Sequence, residues 1–179
     1  MIISISSFNE VIITKEKTLV LCDIDDTVLY WPNCKNECQK ILGNCYTGYN
    51  CKENKEEFEM DYRDLISMYK RIHNPIHTDF NEFVSMLHKL KNQNSKLVFL
   101  TARHKDYSKG TNRHLTQIGL NCDDFDIHYT GTIMTKGEYI QNYINLTEWD
   151  DVIFIDDSEN NINSVINLYP QIRCYKFVI

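Results

Sequence analysis

Leu19-Val20-Leu21-Cys22-Asp23-Ile24-Asp25-Asp26-Thr27 decides how this chain is read. Four apolar residues rich in β-formers run straight into a cluster of carboxylates. An apolar run of that length reads as a strand buried on both faces, the pattern of a parallel sheet. Ligands of open α/β sheets bind beyond the carboxyl ends of the strands. Asp23 and Asp25 are two apart, so a fully extended strand points both to one side. Two converging carboxylates at a strand end point to a cation or a phosphoryl-transfer site.

The rest of the chain repeats the pattern. Lys96-Leu97-Val98-Phe99-Leu100 is a second buried strand, ending in Thr101-Ala102-Arg103. Val152-Ile153-Phe154-Ile155 is a third, ending in Asp156-Asp157-Ser158. Weaker strands are expected near Ile127-His128-Tyr129 and from Ile172 to Val178. Helical spacing marks residues 56–73, a helix capped by Thr78 or Asp79 and running to Asn92, and segments 108–118, 136–144 and 160–168. A short helix is expected within 4–16. Alternating strands and helices predict an α/β, Rossmann-like three-layer sandwich around a central parallel sheet.

The chain of 179 residues suits one sizeable domain with a small insertion. A net charge of -6 argues against a nucleic-acid scaffold, which needs a basic face. A small phosphorylated substrate stays compatible, because a bound cation reverses the local field. No apolar run reaches the ~20 residues of a membrane span, and the N-terminus lacks a basic leader. A cytoplasmic location is expected. Seven cysteines, an odd number, do not suggest a complete disulfide framework.

In a parallel sheet the three polar strand ends lie on one rim. Two carboxylates ~4 Å apart at an effective dielectric near 20 repel by about 4 kcal/mol, so several on one rim call for a cation. An all-oxygen site suits a hard ion, and Mg²⁺ with a substrate phosphate is the natural choice.

These stretches together resemble the haloacid dehalogenase superfamily of phosphohydrolases. Asp23-Ile24-Asp25-Asp26-Thr27 resembles its first motif, and Leu97 to Thr101 its second. Lys136 in Thr135-Lys136-Gly137 resembles the third, and Val152 to Asp157 the fourth. The resemblance covers most of the chain outside residues 30–78. It implies that Asp23 is the nucleophile and forms an aspartyl-phosphate. Asp25 would protonate the leaving oxygen and then activate water. Mg²⁺ would be held by Asp23, the backbone carbonyl of Asp25, and Asp157, with Asp156 an additional acidic residue. Thr101, Ala102, Lys136 and Arg103 would hold the phosphoryl oxygens. Thr27 and Asn161 would support the site. Lys105 and Lys109 compete with Lys136 for its role, and Arg103 equally suits a surface ion pair.

The expected organisation is a catalytic core of residues 1–29 and 79–179 with a mainly helical cap insertion at 30–78. In this superfamily such an insertion closes over the substrate and sets specificity. Cys34, Cys38, Cys45 and Cys51 lie in it, with His73 and His77 as alternative ligands. They suit Zn²⁺, free thiols or disulfides. Cys22 belongs to the core. Tyr30, Trp31, Tyr46 and Tyr49 are expected mostly to pack.

The resemblance therefore implies a Mg²⁺-dependent phosphomonoester hydrolase acting on a small metabolite or nucleotide. A phosphomutase, a phosphoprotein phosphatase and a non-catalytic phospho-binding or receiver-like protein are the alternatives. Dehalogenation is disfavoured, because it has no need of an acid at Asp25.

Overall fold

Six parallel strands form the centre of the protein, seen in a computed structural model that describes residues 2–34, 36–38, 66 and 69–179. The strands are β1 (Ile2–Ile5), β2 (Thr18–Cys22), β5 (Lys96–Thr101), β6 (Asp126–Tyr129), β7 (Asp151–Asp156) and β8 (Arg173–Phe177). Their order is β1-β8-β7-β2-β5-β6. Two short strands, β3 (Leu29–Tyr30) and β4 (Ile76–His77), lie outside this sheet. The helices are α1 (Phe80–Asn92), α2 (Ser108–Gln117), α3 (Lys136–Tyr143) and α4 (Glu159–Leu168).

Burial explains why β2 is central. All five of its residues are buried, as both faces and both edges are covered. Val20 pairs with Leu97 of β5 on one side and Ile153 of β7 on the other. Period-2 alternation then sorts the side chains into two layers. Leu19, Leu21, Val98, Leu100 and Phe154 pack with Ile140 of α3 and Ile162 and Val165 of α4. On the opposite face, Phe99 stacks toward Phe83 of α1, whose ring meets Phe8 edge-on at 4.9 Å. The result is a helix–sheet–helix sandwich, the architecture read from the sequence.

The chain runs from β2 outward to β5 and β6 on one side, and through β7 and β8 on the other. This places a topological switch at the carboxyl ends of β2, β5 and β7, where crevices form in such sheets.

One expectation is corrected. Residues 4–16 do not form a helix. Ile2–Ile5 is the edge strand β1, parallel to β8, and Phe8–Glu10 makes a single 3₁₀ turn. Ser7 caps that turn with Glu10 in a reciprocal capping box, and Phe8 is fully buried. Edge pairing outweighed the mixed polarity, which carries no strong period of its own. Asp79 does sit at the N-cap of α1, yet its side chain does not cap. It accepts instead from Ser7 Oγ at 2.6 Å and Phe8 N at 3.0 Å.

The chain divides into two compact units, residues 1–30 with 77–179, and residues 31–76. Within the second, Trp31 is buried, and its Nε1 donates to the His73 carbonyl at 3.1 Å. Lys70 Nζ lies 4.6 Å from the Trp31 ring centroid. Most of the expected 56–73 helix lies outside the described residues, as do Tyr46 and Tyr49; residues 69–72 are helical. Among the described residues no helix is long and apolar enough to cross a membrane.

Candidate active site

The rim site is built around a buried lysine. Lys136 is 1% exposed, and its Nζ donates to Asp23 Oδ1 and, at 2.6 Å, to Asp156 Oδ2. Asp23 is the first residue past β2, and its N–H donates to the Ile155 carbonyl at 2.9 Å, continuing the ladder toward β7. Asp156 is the last residue of β7 and is fully buried. Two adjacent strands thus deliver their terminal carboxylates to one ammonium.

Two local devices put Lys136 there. Thr135 caps α3 by accepting from Glu138 N, and the Glu138 carboxylate returns to the Thr135 backbone N–H at 2.8 Å. Such a reciprocal cap starts the helix at Lys136. Gly137 then lets α3 touch α4. A Cβ at residue 137 would stand 2.1 Å from the Ser164 carbonyl oxygen, so only glycine fits. Gly137 N donates to Ser164 Oγ at 3.1 Å, and Ser164 Oγ donates to the Asn161 carbonyl at 2.7 Å.

Asp156 has little coordinating capacity left. Its Oδ1 accepts from Ser158 N at 2.8 Å and Asn161 Nδ2 at 3.0 Å, while Oδ2 takes Lys136 and Asn161. It holds Lys136 in place. Asp157 is half-buried beside it, and Asp23, Asp156 and Asp157 each offer an oxygen within 4.8 Å of the others.

The electrostatics favour an added cation. Burial pushes the Asp23 carboxyl well above the usual range; Lys136 pulls it back, while Asp156 and Asp25 push it further up. Burial, then Asp156 and Asp26, raise Asp157 to about 6. Burial alone would lower Lys136, but Asp23 and Asp156 outweigh it and its pKa rises. One lysine therefore faces three carboxylates in a poorly hydrated site. An oxygen-only donor set of this kind fits a hard divalent ion such as Mg²⁺. Asp23 and Asp157 are the side chains with that role open to them.

Asp25 lies beyond the strand, ahead of a turn where Asp26 adopts a left-handed φ of 58°. Arg103 grips Asp25 on both oxygens, Nε to Oδ2 at 2.7 Å and Nη2 to Oδ1 at 3.0 Å. Burial works against the Arg103 charge, but Asp25 more than restores it. Thr101 is fully buried at the end of β5 and accepts from Arg103 N at 3.2 Å. Ala102 is exposed beside it, and so are Lys105 and Lys109, which leaves Lys136 as the lysine of this rim. Thr27 is fully buried, with its Oγ1 lacking a hydrogen-bond partner among the described residues.

Sequence reasoning missed Gly137, Ser164 and Thr111. A Thr-Lys-Gly start followed by Glu138 signals a capped helix, but nothing local announces the Gly137–Ser164 contact. Thr111 receives Arg103 Nη1 at 3.0 Å.

The zinc reading needs Cys45 and Cys51, which lie outside the described residues. Cys34 and Cys38 are buried. The alternative ligands His73 and His77 both pack against aromatic rings. His73 stacks on Tyr69 at 3.9 Å. His77 Nδ1 accepts from Asp79 N at 2.9 Å, and its ring packs among Phe8, Phe80 and Phe83.

A family model described as "Protein of unknown function (DUF2608)" matches residues 2–133, and the chain belongs to that family. No curated protein matches it. Solved structures share the fold at low identity. One, a Pnkp1/Rnl/Hen1 complex, gives a TM-score of 0.53 at 14% identity over 93% of this chain. This chain spans about half of that one, 48%. The Legionella pneumophila effector Ceg4, carrying an N-terminal yeast Hog1p sequence, gives 0.53 at 16% identity, covering 94% of this chain and 90% of that one. A HAD family enzyme from Bacteroides thetaiotaomicron, an aspartate-to-alanine mutant in complex with magnesium and inorganic phosphate, gives 0.50 at 16%, covering 89% and 93%.

Proposed function

We propose that this DUF2608 member is a Mg²⁺-dependent phosphomonoester hydrolase that works through an aspartyl-phosphate on Asp23. The observation that carries the reading is the Lys136 ammonium shared by Asp23 and Asp156 at adjacent strand ends, with Asp157 beside them. A packing role would not gather three acids around a fully buried lysine. The HAD-type neighbour crystallised with magnesium and phosphate supports the same reading.

The residues divide the work. Asp23 and Asp157 would hold Mg²⁺, with the Asp25 backbone carbonyl. When bound, the ion neutralises charge on the phosphoryl oxygens and on Asp23. The free oxygen of Asp23 attacks phosphorus, and the ester oxygen leaves with a proton from Asp25. Lys136 and Thr101 stabilise charge that spreads over the phosphoryl oxygens in the transition state. Water then cleaves the Asp23–phosphorus bond, giving its proton to Asp25. Asp156 and Asn161 keep Lys136 oriented throughout. The substrate class we favour is a small phosphorylated molecule.

The test is hydrolysis of p-nitrophenyl phosphate with and without Mg²⁺. Turnover is expected with Mg²⁺, suppressed by EDTA and abolished in Asp23→Asn. Full activity in that variant refutes the nucleophile assignment.

A further inference from the structure

We propose that Arg103 is a positioning residue, which holds the Asp25 carboxylate for the water-attack half of the reaction and does not bind the substrate phosphoryl group. The proposal rests on the phosphatase reading above and assigns Arg103 a role different from the phosphate contact its position suggests.

The hydrogen bonds of Arg103 carry the argument. Nε and Nη2 go to the two oxygens of Asp25, and Nη1 goes to Thr111 Oγ1 at 3.0 Å. Thr111 is itself fully buried in α2 and donates to the Tyr107 carbonyl at 3.2 Å. The Arg103 backbone N–H is tied to Thr101 Oγ1 at the end of β5. The guanidinium is thereby fixed from both ends, with its side chain only 13% exposed. Reaching for a phosphoryl group would mean giving up a bidentate pair, the strongest geometry an arginine makes.

Asp25 needs such a hold. It lies past the last ladder residue of β2, where its backbone bridges to Leu29 ahead of the turn that begins at Asp26. An aspartate side chain there has rotamer freedom that costs rate when it must meet one water in one geometry.

The chemistry separates the two half-reactions. In the first, an Asp23 oxygen bonds to phosphorus and the ester P–O bond breaks. With p-nitrophenyl phosphate the departing phenolate is a stable anion and takes no proton from the protein. In the second, a water oxygen bonds to phosphorus and its proton passes to Asp25. The phosphorus–Asp23 bond breaks, regenerating the Asp23 carboxylate and releasing phosphate. Holding Asp25 in place serves only the second step with this substrate.

Rapid-quench kinetics with p-nitrophenyl phosphate and Mg²⁺ test this on Arg103→Leu and Thr111→Val. Arg103→Leu is expected to lower kcat about 10- to 100-fold, part of the ~10²–10⁴-fold that a positioned general base contributes, while kcat/KM stays within about threefold. The phosphoenzyme then accumulates as a burst near one nitrophenol per site. Thr111→Val, which removes the Nη1 anchor together with the bond to the Tyr107 carbonyl and leaves the Asp25 pair in place, is expected to show the same signature more weakly. A fall in kcat/KM with a raised KM and no burst, in either variant, overturns the proposal in favour of phosphate binding. Equal loss of both half-reactions also overturns it. If the wild-type protein neither turns over nor becomes labelled on Asp23, the phosphatase reading itself fails, a result distinct from those.

Discussion

Replacing Lys136 with methionine tests the electrostatic core of the site without any substrate. The substitution keeps chain length and removes the charge. It leaves Asp23, 5% exposed, and Asp156, fully buried, facing each other without their shared cation. Breaking a buried pair by removing one partner costs about 3–5 kcal/mol. A second route gives the same size. The folded variant relieves the repulsion by protonating Asp23, and holding a proton at pH 7 on a group of ordinary pKa near 3.9 costs about 4 kcal/mol. Asp156 keeps its bonds from Ser158 and Asn161. The sign follows from linkage. A carboxyl whose folded pKa is raised above its unfolded value penalises folding above that value, and the penalty fades as pH falls. At pH 5 the same reasoning leaves about 1.5 kcal/mol. Thermal melts in EDTA should therefore show the variant about 8–16 °C below wild type at pH 7, narrowing to a few degrees at pH 5. Added Mg²⁺ should recover part of the loss. A variant within about 2 °C of wild type at pH 7 would refute the idea that Lys136 neutralises these two acids, and so would a gap indifferent to pH.

Gly137→Ala should destabilise the fold by about 1–3 kcal/mol in urea unfolding, the usual cost of overpacking, because its Cβ meets Ser164 backbone. Phosphatase activity should fall with it, as Lys136 moves with α3; an unchanged midpoint would count against the close helix contact. Asp157→Asn should raise the Mg²⁺ concentration needed for half-maximal activity at least tenfold with the fold intact, and an unchanged Mg²⁺ titration would remove Asp157 from the ligand set. His77 titrates at about 4, lowered by burial and partly restored by Asp79. The unfolded chain takes up that proton first as pH falls from about 6.5, so stability is lost between 6.5 and about 4. The loss is about 2 kcal/mol after discounting for its partial exposure. His77→Phe should flatten that acid slope, and an identical slope would exclude His77 as its source.

The fold was legible because its three central strands are continuous apolar runs, a pattern that few other structures use. The strand ends were legible for the same reason: polar clusters at Asp23, Thr101 and Asp156 each terminate such a run. What stayed hidden depends on distant partners. Ile2–Ile5 is a strand only because β8 lies beside it, and no period within four residues announces that. The roles of Asp156 and Asp157 look alike in sequence. They separate only when Asn161, Ser158 and Lys136 are seen to consume the oxygens of the first. The Arg103–Asp25 clamp joins residues far apart in the chain, and arginine after a strand has no local signature of its partner.

The strand order has a consequence for how the molecule is made. β2 emerges early, yet one of its two neighbours, β7, comes from the far end of the chain: Thr18 pairs with Asp151. Until that stretch is synthesised, Leu-Val-Leu presents an unpaired, fully apolar ribbon edge. Folding must wait for a distant closure, which slows it and leaves a sticky intermediate on the ribosome. Chains trimmed before β7 should precipitate.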